Sequence, residues 1–98
     1  MTPWPFEDPP NVAVIANRRI IAGSAWIAYV THDEDDGGWQ FHTDEPGSPA
    51  EEDAVVVGLA RIVALDERVA ELADLPLGWC AWRIAKDAPW QRSPINRN

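Results

Sequence analysis

The sequence predicts an α+β domain, with a mainly antiparallel sheet of about four or five strands and two short helices packed on one face. Three observations carry this. Short β-branched and aromatic runs recur at 11–16, 26–32, 39–43 and 79–84, a composition that suits a pleated, half-buried surface. Asp36-Gly37 separates the second run from the third, and Asp-Gly is a strong hairpin signal because a type I′ turn needs positive φ at both central positions. Before the last run, Val69, Leu72 and Ala73 fall at helical spacing.

With 98 residues the chain is sized for a single core. Residues 1–11 form a Pro-rich arm, 12–90 one α+β domain, and 91–98 a polar tail. In the arm, Pro3, Pro5, Pro9 and Pro10 enforce extended backbone around Trp4 and Phe6. Two aromatics on a stiff arm suggest docking, on its own domain or on a neighbour.

NVAVIA (11–16) reads as the first strand, with a turn at Gly23-Ser24, and WIAYVTH (26–32) as the second. Around an Asp36-Gly37 turn, Trp39 lies opposite Glu34, Phe41 opposite His32 and Thr43 opposite Val30. This register places Trp39 and Phe41 on one face with Trp26, Ala28 and Val30; a one-residue slip would split the two sets. Ser48, Pro49 and Glu51 suggest a capped helical turn near 49–53. Val55-Val56-Val57 is poor helix material, so a strand at 54–57 and a helix at 58–64 follow. A single helix over 49–65 is the competing arrangement. Asp66 caps a further helix to Ala73, closed by Pro76 and Gly78, and WCAWRI (79–84) is the last strand.

The formal charge of −8 is unevenly placed. No lysine or arginine stands between Arg19 and Arg61, while Asp33, Glu34, Asp35, Asp36, Asp44, Glu45, Glu51, Glu52 and Asp53 all do. Such a surface repels phosphate backbones and anionic lipid, which argues against nucleic acid and membrane as partners. A basic protein or a cation fits better. Acidic loops also simply keep proteins soluble. No apolar run approaches the roughly 20 residues of a membrane-spanning helix, and the N-terminus has no secretory pattern. One cysteine, Cys80, permits no internal disulfide. The expected location is the cytoplasm, as monomer or homodimer.

No catalytic machinery or cofactor motif emerges. With Asp33 opening a calcium loop, Gly37 takes a ligand position and Asp44 replaces the bidentate glutamate. His32 and His42 point to opposite faces in the preferred register and lack a third ligand at recognisable spacing. Cys80, in a strand between tryptophans, reads as a packing residue. Asp35-Asp36 on an exposed turn stays ionised, which is poor for a general acid. Of the six tryptophans, Trp26, Trp39 and one of Trp79 or Trp82 are expected inside. Trp4 and Trp90 are the surface candidates, Trp90 standing beside Arg92 as interface anchors often do.

In the order of its motifs, the chain resembles the bacterial domain of unknown function family 2185, some members of which are described as immunity proteins of polymorphic toxin systems. The residues concerned are Asp36-Gly37-Gly38-Trp39-Gln40-Phe41, then Leu59, Ile62 and Asp66, then Pro76-Leu77-Gly78 and Trp82-Arg83. The likeness as a whole spans roughly residues 12–84. Glu67 stands where the family has proline, the acidic stretch before Val55 differs, and the arm falls outside the likeness. The resemblance implies a small α+β fold, no catalytic residues to carry over, and an inhibitory binding role.

The expected function is therefore non-enzymatic protein binding of the immunity type. Asp33, Glu34, Asp35, Asp36, Asp44, Glu45 and Trp90 would face a basic partner such as a toxin. Two alternatives stand beside it: a metal-binding domain or metal-dependent hydrolase using Asp33, Asp35, Asp44 and a histidine, and a structural homodimer whose arm wraps a neighbour.

Overall fold

Side chains of a strand alternate between faces, and the strand pairings show which face each joins. The computed structural model describes residues 4–44 and 53–95. Its elements are β1 (Ala13–Asn17), a one-turn helix α1 (Arg18–Ile21), β2 (Tyr29–His32), β3 (Trp39–His42), β4 (Ala54–Gly58), α2 (Leu59–Leu65), a 3-10 helix η1 (Glu67–Leu72), β5 (Trp79–Trp82) and β6 (Gln91–Pro94). They build an α+β domain around one six-stranded sheet of order β4-β1-β3-β2-β5-β6.

The sheet is mixed, because β1 runs parallel to β3 while every other pair is antiparallel. Four to five antiparallel strands is thus an undercount in a mixed sheet. The sixth strand comes from the expected polar tail, where Gln91–Pro94 pairs with β5. Arg92 fixes it to the helical layer, donating to the Asp74 carboxylate at 2.7 Å and to the Glu71 carbonyl at 2.6 Å.

One face carries the core. Val14, Ala16, Val30, Trp39, Phe41 and Ala81 lie on it and pack against Leu59 and Ile62 of α2, Val69 and Leu72 of η1, and Phe6 of the arm. Trp39 and Phe41 do share this face with Val30, as their phase predicts. The hairpin register is two residues away from expectation: His32 pairs with Trp39 and Val30 with Phe41. A shift of two keeps every side chain on its face. The cause is the loop, which takes six residues, 33–38, between the strands. Asp33 accepts from the Asp35 amide at 2.7 Å and Asp36 from the Gly38 amide at 2.7 Å, so two side chains supply turn bonds that a tight turn would draw from backbone. Gly37, at φ 71°, closes it.

Beyond β4, both helical expectations hold in place, and the second changes in kind. α2 matches the expected 58–64 within a residue. Asp66 does cap the segment after it, accepting from the Arg68 amide at 3.0 Å, but that segment winds as a 3-10 helix. The capped turn suggested for 49–53 lies almost wholly outside the described residues.

Candidate functional site

At the β2–β3 loop end of the sheet the arm, the hairpin and the turn after η1 meet. Trp39 joins them. Its indole is 3% exposed, donates to the Asp8 carboxylate at 2.8 Å, meets Phe6 edge-on at 5.4 Å and stacks on His32 at 3.9 Å. The arm therefore docks on its own domain, helped by Trp4 donating to the Asp8 carbonyl at 2.6 Å. His32 is fixed from the other side. Its Nδ1 donates to the Leu75 carbonyl at 2.8 Å, leaving Nε2 as the remaining ring position.

Between these parts is a cleft of about 310 Å³, with Phe6, His32 and Trp39 in its wall, and Glu7, Asp8 and Asp74 also lining it. Gly37 and Leu77 connect it to the hairpin tip. Glu34, Asp35 and Asp36 stand exposed on that tip. Arg92 beside Asp74 holds that carboxyl below its ordinary range. A cleft ringed by carboxylates suits a cationic side chain by charge, with the packed rings of Trp39 and Phe6 holding its wall in place.

The expected acidic set does not form one patch. Asp33, Glu34, Asp35 and Asp36 share the hairpin loop, but Asp44 follows β3 at the opposite end of the ladder. Six residues of extended chain separate it from Gly38, roughly 20 Å. Asp33, Asp35, Asp44 and a histidine therefore cannot meet around one ion. Among the described residues no group of three or more His, Cys, Asp or Glu side chains is placed to hold a metal ion. Glu45 lies outside the described residues.

Trp90 is also placed differently from expectation. It donates to the Arg68 carbonyl at 3.0 Å and its ring covers the Arg83 guanidinium at 4.2 Å. It is part of the structure's frame. Trp26 also faces the same guanidinium, at 5.8 Å, and is half-buried, as is Trp79, while Trp82 is exposed. Of the three tryptophans expected inside, only Trp39 is fully buried. Arg83 itself, to which the sequence assigns no structural role, is buried and donates to the Ile27 and Lys86 carbonyls, each at 2.8 Å, and to Asp66. Its partner Asp66 lies 17 residues earlier in sequence, too far for local spacing to reveal the pair.

On the sheet's second face His42 stands opposite Tyr29, their rings 5.7 Å apart. Burial pulls the His42 pKa below its usual 6.5. Burial, then the neighbouring Cys80 thiol, push the Tyr29 phenol up to about 12. For His42 the unfolded ring takes up its proton first as pH falls through 6.5. That contribution is fully present above 6.5 and is lost as pH falls towards the lowered folded value. Urea unfolding of His42→Gln is expected to show a flatter stability curve than wild type between about pH 7 and pH 5. Parallel curves would remove His42 as the source.

Fold and site together define a small α+β domain with one helix-covered sheet face and an acidic, aromatic cleft at one end. Comparison with known families, curated proteins and solved structures finds no match. Among the described residues no helix is long and apolar enough to cross a membrane.

Proposed function

We propose that this chain is a non-catalytic, immunity-type binding domain whose acidic end receives a basic partner protein, such as a toxin. The observation that supports the reading is convergence. The exposed Glu34, Asp35 and Asp36 adjoin a cleft also lined by Glu7, Asp8 and Asp74, with Trp39, His32 and Phe6 in its wall. Internal turn bonds at Asp33 and Asp36 pre-form the hairpin tip, which reduces the ordering cost of binding. A basic segment crossing the tip would meet Glu34, Asp35 and Asp36 and set one arginine or lysine at the carboxylates of the cleft mouth.

The test is calorimetric titration with an arginine-rich peptide, and with the product of any adjacent toxin-like gene. Affinity is expected to weaken at least about tenfold as salt screens the carboxylates. Glu34→Gln with Asp35→Asn should weaken it by a similar factor, with circular dichroism confirming that the variant folds. Absence of binding at low salt to either probe would sink the reading.

A further inference from the structure

The face of the sheet opposite the helices carries Ile15 and Val56 at one edge and Trp82 towards the other, with Gln40, Tyr29 and Cys80 between them. Ile15 and Val56 are direct cross-strand partners. Exposure is 41% at Ile15, 70% at Val56 and 38% at Trp82. The buried residues of α2 and η1 all join the other face. Following the alternation through all six strands, no ladder position on this side is Asp, Glu, Lys or Arg. In a chain of charge −8, a six-strand face without a charged side chain is an exception that calls for an occupant.

We propose that this face is a self-association surface, on which a second copy of the chain stacks sheet to sheet. The choice of occupant follows from charge. Two copies repel wherever carboxylates face one another, and this neutral face is where they can approach without that penalty. A basic partner, by contrast, gains nothing from a face with no acid to meet. With a twofold axis along the strands, β4 and β1 of each copy lie over β6 and β5 of its mate, so the half of the face with Ile15 and Val56 meets the half with Trp82. Six strands about 4.8 Å apart and roughly 15 Å long make a small footprint. That falls below the standard size of specific interfaces, so the dimer is weak and depends on concentration.

Sedimentation equilibrium of the full chain, from about 1 to 500 μM at low and high salt, tests this on the micromolar scale expected of small interfaces. Wild type is expected to shift from monomer to dimer within that range. High salt should tighten the dimer, because it screens like-charge repulsion. This is the opposite sign to the basic-partner complex, so the two proposals fail separately. Val56→Lys and Ile15→Asp should each weaken the dimer at least about tenfold by burying an unpaired charge. Leu65→Lys on α2, which is 41% exposed in the other layer, should leave it unchanged, and circular dichroism confirms that all three fold. A monomer at every concentration and salt, or a dimer equally strong in Val56→Lys and Ile15→Asp, would overturn the proposal.

Discussion

Arg83→Met is expected to lower stability by about 3–5 kcal/mol, the cost of removing one member of a buried ion pair. For a domain of this size that is a fall in melting temperature on the order of 15–30 °C. The size reflects the work of the guanidinium. Its side chain is fully enclosed, with Asp66 only 11% exposed beside it. It satisfies two backbone carbonyls, Ile27 before β2 and Lys86 after β5. Methionine keeps the stem and its packing but takes this donor away from both carbonyls and from the Asp66 carboxylate. Adding Asp66→Asn should recover part of the loss, because the orphaned charge goes while the amide oxygen can still cap η1. Thermal unfolding of the two single variants and the double variant measures the coupling. A loss below about 1 kcal/mol for Arg83→Met would match a solvated surface pair, contrary to the enclosure of this one.

Trp39→Ala is the second large effect, expected at about 3–5 kcal/mol from lost burial and the cavity left behind. It also makes a separate local prediction. Trp39 is where Asp8 and Phe6 of the arm are held, so its removal should free the arm as well as loosen the core. Limited proteolysis within residues 4–10 should become fast in Trp39→Ala, at temperatures where the remainder stays folded. Trp39→Phe separates the parts: it keeps a ring against His32 and Phe6 but loses the donor to Asp8. Its cost should be nearer about 1–2 kcal/mol, the scale of a hydrogen bond to a charged group together with a modest change of shape. If the arm stays as resistant in Trp39→Ala as in wild type, its docking does not depend on this contact.

The face assignment of Trp39 and Phe41 was legible because period-two alternation is local, and an error of two residues in register leaves it intact. The register itself was not legible. It depends on Asp33 and Asp36 spending their side chains on turn bonds, which Asp-Gly alone does not announce. β6 was hidden for a different reason. Gln-Arg-Ser-Pro has no strand-favouring pattern, and it is held by β5 and by Arg92 reaching Asp74, 18 residues away in sequence. The same distance problem concealed Arg83, whose partner Asp66 lies 17 residues before it. Half of the candidate site could be read ahead, namely the acidic tip. The cleft could not, because it exists only where arm, hairpin and the turn after η1 are brought together.

The two borders of the sheet are protected unequally. β6 ends in Pro94, which offers no amide proton, and carries Arg92, so a further strand finds poor purchase there. β4 has neither device: Ala-Val-Val-Val-Gly is a short aliphatic ribbon whose outer backbone edge pairs with no strand among the described residues. Immediately before it in the sequence come Glu51, Glu52 and Asp53, a run of charge of the kind that discourages edge-to-edge aggregation when it flanks a hydrophobic strand. Negative charge in the sequence thus adjoins the border of the sheet that is most open to edge-to-edge pairing.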